Sequence, residues 1–183
     1  MFRHFDVHKA IQVAGVLLRA ERNRMSYLRL LKLLYIADRE ALRETGMPLL
    51  GSKSVAMDNG PLHSDLYDLV KGIHENTPLW SKFFSTVGYQ VEMVDQPDNG
   101  LLSQYEIEKI QSTVAKYAPF TDYQICQEMT HTFDEWRKRY EEGTSKPIQL
   151  EDIIDAIGRG GDKASIMEDL LELEEFDKLM SQA

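Results

Sequence analysis

The side chains here that could do chemistry are few: five histidines, one cysteine and clusters of carboxylates. His131 is the most inviting of them, because Thr130, Thr132 and Asp134 surround it. An activated hydroxyl needs a base within hydrogen-bond reach and a third group that orients the base. Sequence neighbours on one helix do not converge in that way. The expectation for His131 is therefore a core imidazole bonded to a backbone carbonyl, with a hydrolase using His131 as the lesser alternative. His4 and His8 stand four apart and could share a helical face, but no third ligand is near them and His4 precedes the helix cap, so no metal site is expected. Cys126, beside Ile125 and Met129, reads as a small buried hydrophobe. Gly60-Pro61 lacks the lysine and the Ser/Thr of a phosphate loop, so its expected work is steric, setting a turn before a helix. No catalytic, cofactor-binding or metal-ligating set emerges.

Charge narrows the partners. The chain carries a net charge of −9. Residues 151–183 hold ten acids against three bases (−7), residues 1–150 hold twenty against eighteen (−2), and residues 1–45 hold five against nine (+4). An acidic whole disfavours a large phosphate-binding footprint, so nucleic acid is not the expected partner. Arg22, Arg24, Arg29 and Lys32 make one local basic cluster, read first as a solvated face and second as a minor nucleic-acid contact or a dock for the acidic tail. A single cysteine excludes an internal disulfide and suits a reducing cytoplasm. The longest apolar run near the N-terminus, residues 13–18, is too short for a signal region or a membrane span, so a cytoplasmic protein is expected.

The elements that must position these residues follow from periodicity. Asp6 caps a first helix running to Arg22, with Val7, Ala10, Ile11, Ala14, Leu17 and Leu18 at helical spacing. Ser26 caps a second, longer helix carrying Leu31, Leu34, Tyr35, Asp38 and Leu42, with Met25 and Leu30 as its hydrophobic staple and Gly46 as its left-handed stop. Residues 53–57 read as a short strand, with residues 89–94 as the partner because Tyr89, Val91 and Met93 alternate with Gln90 and Glu92. Between them lie a helix around Leu66, Tyr67 and Val70 and the aromatic group Trp80, Phe83 and Phe84, read with Tyr89 as core. Ser103–Glu106 and Thr121–Gln124 each have capping-box form, and Trp136 follows His131 in a basic segment. Leu31, Leu34, Tyr35, Ile110, Val114, Ile125 and Trp136 are expected to be buried. After Arg159-Gly160-Gly161, Asp162 opens a final acidic amphipathic helix with Ile166, Leu170, Leu173, Phe176 and Met180 at spacings of three and four.

The expected fold class is therefore mainly α (α+β): a compact helical domain with a small antiparallel sheet of two or three strands and an amphipathic C-terminal helix. Residues 1–157 form the domain, and residues 158–183 form a glycine hinge with the acidic helix.

The order of elements resembles the Panacea domain, the family of SocA-like antitoxins. The residues that carry the resemblance are Lys32-Leu33-Leu34-Tyr35, Gly46-Met47-Pro48-Leu49, Gly60-Pro61, Tyr67 and Lys71-Gly72. Downstream, Leu102-Ser103 with Glu106, Thr121 with Ile125 and His131, then Trp136, and Ile148 with Asp152-Ile153 complete it over about residues 10–157. Three departures stand out. Glu135 replaces the proline usual before the tryptophan, Ile125 replaces a leucine, and the last 26 residues lie outside the pattern. The resemblance implies a non-enzymatic antitoxin that binds a co-encoded toxin, with a protease that receives the toxin as a second conceivable partner. It assigns Leu34, Tyr35, Gly60, Pro61, Tyr67, His131 and Trp136 a structural part. The chain's own residues point to Leu170, Leu173, Phe176, Glu174 and Glu175 as partner-binding candidates, since an apolar stripe must be buried against something and helix-in-groove recognition uses the same spacing as self-packing. A DNA-binding regulator is the rival reading; the net charge and the want of a basic recognition helix weigh against it. With one cysteine and scattered histidines, thermal unfolding is expected to have the same midpoint with and without a chelator or a reductant, and a large drop with chelator would overturn this reading of the histidines.

Overall fold

A computed structural model describes residues 5–181. His4 lies outside them. Helix α1 (Val7–Ala20) begins where the Asp6 carboxylate accepts the amides of His8 and Lys9 at 2.9 and 3.1 Å. Arg22 and Asn23, both at positive φ, swing the chain into the short strand β1 (Arg24–Ser26). Ser26 accepts the Arg29 amide at 3.0 Å and opens α2 (Tyr27–Thr45), which Gly46 closes in the left-handed conformation by donating to Leu42. Every residue of α2 from 29 to 38 is buried. An amphipathic surface helix shows one apolar stripe; a helix buried on all sides belongs to the interior. The rest of the molecule is built around it.

Strands β2 (Ser54–Met57) and β3 (Gly60–His63) form a hairpin, followed by α3 (Ser64–Lys71) and the single turn α4 (Thr77–Trp80). Strands β4 (Phe84–Val87) and β5 (Gln90–Met93) make a second hairpin, and α5 (Gln104–Tyr117) starts in the complete capping box of Ser103 and Glu106. The Thr121 and Gln124 side chains exchange hydrogen bonds with each other's backbone amides as expected. The stretch they open is π-helical over Gln124–Met129 and then 3-10 over Thr130–Thr132. Helix α6 (Asp134–Arg139), strand β6 (Lys146–Ile148), α7 (Leu150–Ala156) and α8 (Lys163–Ser181) complete the chain.

Among the described residues the strands form two antiparallel three-stranded sheets, ordered β1-β5-β4 and β3-β2-β6. The class is the expected one, mainly helical with small antiparallel sheets and a C-terminal helix. The expected pairing of residues 53–57 with 89–94 does not occur. Each run pairs instead with the strand a tight turn away, since closing a two-residue loop costs far less chain entropy than bringing together segments more than thirty residues apart. The other neighbour comes from the far end of the chain, Met25 opposite Val91 in one sheet and Ile148 opposite Ser54 in the other. Gly60-Pro61 is likewise not a turn before a helix. It is the first half of β3, and α3 begins only at Ser64. Of the aromatic group, Trp80 and Phe84 are core and Phe83 is half-buried, but Tyr89 lies at the hairpin tip, 76% exposed, with its ring stacked 5.8 Å from that of Tyr27.

The main apolar core joins α1, α2 and α5 to the inner faces of both sheets, and all seven residues expected there or beside it are buried. A second cluster gathers Leu42, Ala56, Trp136, Ile148, Ile153 and Ile154, and the first half of α8 adds Ile166 and Leu170. Leu34 is 1% exposed within α2. Leu34→Ala is expected to cost about 2–5 kcal/mol in denaturant unfolding, and a loss below about 0.5 kcal/mol would show that the site is not core.

Candidate functional site

Four residues spaced by three along the buried helix are polar: Arg29, Lys32, Tyr35 and Asp38. Each reaches a different segment. The Arg29 guanidinium donates to the carbonyls of Tyr117 and Phe120 at 3.0 and 2.8 Å, satisfying the C-terminal end of α5, and pairs with Glu21 and Asp122. Lys32, wholly buried, donates to the Pro61 carbonyl at 2.6 Å. The Tyr35 hydroxyl donates to Glu135 at 3.2 Å, and Arg39 donates to the same carboxylate at 2.7 Å. Asp38 Oδ1 accepts the Leu50 amide at 2.7 Å, while its Oδ2 lies 3.6 Å from Nε2 of the buried His63.

Burial moves three of these groups, Lys32, Tyr35 and His63, in the direction that favours their uncharged forms. The Lys32 ammonium is lowered to about 7 by desolvation, with Cys126 pulling weakly the other way. The Tyr35 phenol is held well above its ordinary value by burial and by the Glu135 charge, and burial lowers His63. Around Lys32 the packing is tight. A Cβ on Gly60, whose φ is +91°, would stand 2.5 Å from Thr130 Oγ1 and 3.3 Å from both His131 Cδ2 and Lys32 Nζ. Only glycine combines that backbone with that space.

His131 lies over Trp136, the rings 4.0 Å apart and nearly parallel, and hydrogen-bonds the backbone of Asp58. Burial and the nearby Lys32 lower its pKa. It is thus braced as a half-buried ring, and its flanking hydroxyls bond backbone instead: Thr130 Oγ1 donates to Cys126 and Thr132 Oγ1 to Met129. Trp136 Nε1 donates to the Met57 carbonyl at 3.0 Å. Cys126 Sγ donates to the Asn59 carbonyl, and burial pushes its thiol pKa up, away from nucleophilic reactivity. Gly60, Pro61, His131 and Trp136 therefore meet where β2, β3 and the π-helical stretch cross Lys32. Leu34 lies in the main core, and Tyr67 is part of another group, in which Lys71 Nζ sits 5.9 Å from the Tyr67 ring and 5.1 Å from that of Tyr27.

The four cations read as a surface cluster do not form one. Arg22 and Arg24 are exposed, whereas Arg29 and Lys32 point inward, because α2 has no solvent face over that turn. His8 is exposed on α1, and among the described residues no three His, Cys, Asp or Glu side chains are grouped to hold a metal.

A cavity of about 370 Å³ opens beside Tyr35, Asp38, Arg39 and Leu42, between the start of β2, the end of β6 and Leu170 of α8. Ser54 Oγ lies 3.4 Å from His63 Nδ1, so Ser54, His63 and Asp38 stand in a row, of which Ser54 and Asp38 line the cavity and His63 is enclosed behind them. Ser54 and His63 are cross-strand partners in the β2–β3 hairpin, and their contact follows from that register. Sequence reading passed over this row, and it marked Glu135 only as a departure from the family pattern, without a partner. The signal for Asp38 was present as a carboxylate three residues beyond Tyr35 in a helix otherwise apolar on every side. Nothing local marked His63, whose partners lie 9 and 25 residues away.

The domain is thus helical, its central helix latched through Lys32 to the Gly-Pro strand and through Tyr35 to Glu135 of α6, next in sequence to the Trp136 that stacks on His131. The model of the antitoxin SocA-like, Panacea domain family matches residues 30–137, from α2 into α6, and the chain belongs to that family. No curated protein and no solved structure matches it. Glu135, which stands where the resemblance has proline, is fully enclosed and bound by Tyr35 and Arg39, so the departure is filled by an internal ion pair.

The Lys32 shift has a measurable sign. Its folded pKa, about 7, lies below its unfolded value, so between about pH 7 and pH 10 the unfolded chain binds the extra proton and stability rises with pH; below about 7 both states are protonated and the penalty is constant. Relative to Lys32→Met, the wild type is expected to gain stability steadily across that window in urea unfolding. A difference that stays flat from pH 7 to about pH 10 would mean that Lys32 keeps its ordinary pKa.

Proposed function

We propose that the protein neutralises a co-encoded toxin by direct, non-enzymatic binding, and that the C-terminal half of α8 supplies the apolar contact. The family supports the antitoxin role, and one observation carries the choice of surface. Ile166, Leu170 and Glu174, at spacings of four, turn toward the body and are buried, while the helix runs on with Leu173, Phe176, Leu179 and Met180 37%, 58%, 69% and 62% exposed. Of the five candidates drawn from sequence, Leu170 and Glu174 thus face the protein's own second cluster, and Leu173, Phe176 and Glu175 face solvent. Contiguous exposed apolar side chains rimmed by polar ones mark interaction sites more often than solvated surface. Glu168, Asp169, Glu172 and Glu175 are exposed along the same helix. Acids around an apolar contact speed encounter with a basic surface, while the apolar side chains supply most of the affinity.

Replacing Leu173, Phe176 and Leu179 together with serine should leave the fold and its unfolding midpoint unchanged. It should weaken binding to the protein encoded by the adjoining gene by roughly thirtyfold or more and abolish rescue of cells from it. Glu175→Gln should mainly slow association and flatten its salt dependence, whereas Leu170→Ser should instead lower stability. Unchanged affinity in the triple variant would make α8 an intramolecular brace and move the binding face to the body.

A further inference from the structure

The geometry points to the cavity between α2, the start of β2 and α8 as the seat of one tryptophan or tyrosine side chain of the partner protein. The inference rests on the toxin-binding reading and adds the chemistry of the partner's anchor. Of the cavity's apolar lining, Leu42, Ile148, Ile153 and Leu170 are buried, and Val55 and Leu150 are half-buried. Its mouth is open, for Lys53, Pro147 and Gln149 line it and are exposed. A dry apolar cavity of about 150 Å³ holds benzene, so about 370 Å³ has room for a phenol or an indole.

The charges on the lining select a neutral guest. Arg39 is paired with Glu135 at 2.7 Å, and Asp38 spends Oδ1 on the Leu50 amide. A cation in the cavity would meet Lys53 and Arg39, and an anion would meet Asp38. Neither sign is favoured, and taking an ion out of water is costly without a matched partner. An aromatic ring suits the apolar walls and gains from a cation at its face, and Ser52 and Gln149 on the lining offer partners to its one polar atom. Position ties the cavity to α8. Leu170 closes it on that side, and Leu173, three residues on and 37% exposed, is Leu170's neighbour on the helix. A protein laid along Leu173 and Phe176 therefore passes beside the cavity wall. Interfaces draw most of their affinity from a few central anchors, tryptophan and tyrosine foremost, each filling a pocket.

The test pairs a probe with a variant, both on the full chain. Indole, followed by amide NMR, is expected to bind saturably and to shift Val55 and Ile148, while butylammonium and butyrate do not. Saturating indole should weaken binding of the adjoining gene's product by about tenfold or more, the loss when a central anchor is displaced. Leu150→Trp, which puts an indole of the protein's own into the cavity, should lose the probe and weaken the partner to a similar extent. If that variant does not fold, competition by indole in the wild type decides by itself. Butylammonium or butyrate bound as tightly as indole, or no shift at Val55 and Ile148, overturns the proposal. Indole that binds without weakening the partner overturns it too, since the cavity then takes free aromatic molecules only. If the serine replacement of Leu173, Phe176 and Leu179 loses the partner while Leu150→Trp keeps it, this inference fails and the α8 reading stands. If both variants keep the partner, both fail.

Discussion

A helix buried on every side over residues 29–38, carrying a polar group at every third residue from Arg29 to Asp38, is the constraint on which the rest of this fold depends. Each of those groups would cost a few kcal/mol if buried without a partner, so each must be met by another part of the chain. The partners are scattered: the end of α5 for Arg29, strand β3 for Lys32, α6 for Tyr35 and the link after α2 for Asp38. Four long-range contacts thus fix where four segments lie, and the apolar residues between them fill the space. The same arrangement explains why β3 must open with glycine. The strand has to bring the Pro61 carbonyl to Lys32 in a space already taken by Thr130 and His131.

A body latched in this way has little freedom left, and the free surface is elsewhere. Helix α8 begins on the second apolar cluster and then outruns it, so its later turns keep apolar side chains in water. The two features set a body braced by buried polar contacts apart from a helix whose later turns keep apolar side chains exposed. Between them lies the cavity lined by Tyr35, Asp38 and Arg39 of α2 and Leu170 of α8.

How much of this was legible in the sequence depended on range. Local signals held: Asp6, Ser26, Ser103 and Gly46 cap the elements they were expected to cap, because capping is settled within a few residues. The family's marks Gly60, Pro61, His131 and Trp136, read from distant parts of the sequence, lie together around Lys32. Pairing failed where it needed distance, since alternation at 89–94 gives a strand and its buried face but not its neighbour. β6 went unread because it has three residues and contains a proline, tolerated at the sheet edge. Arg29 and Lys32 were misread because a basic residue beside other basic residues suggests a surface, and only the burial of the whole helix turns them inward. The stripe on α8 was correctly periodic, but periodicity cannot say where the body beneath it ends.

Hydrogen exchange by mass spectrometry, on the protein alone and mixed with the product of the adjoining gene, tests the central claim most directly. The account predicts that amides of α2 across residues 30–38 exchange only on global unfolding, that amides after residue 172 in α8 exchange fastest of any long helix, and that the partner slows only the latter. Early exchange in α2, or a terminal half of α8 as protected alone as in the complex, would contradict it.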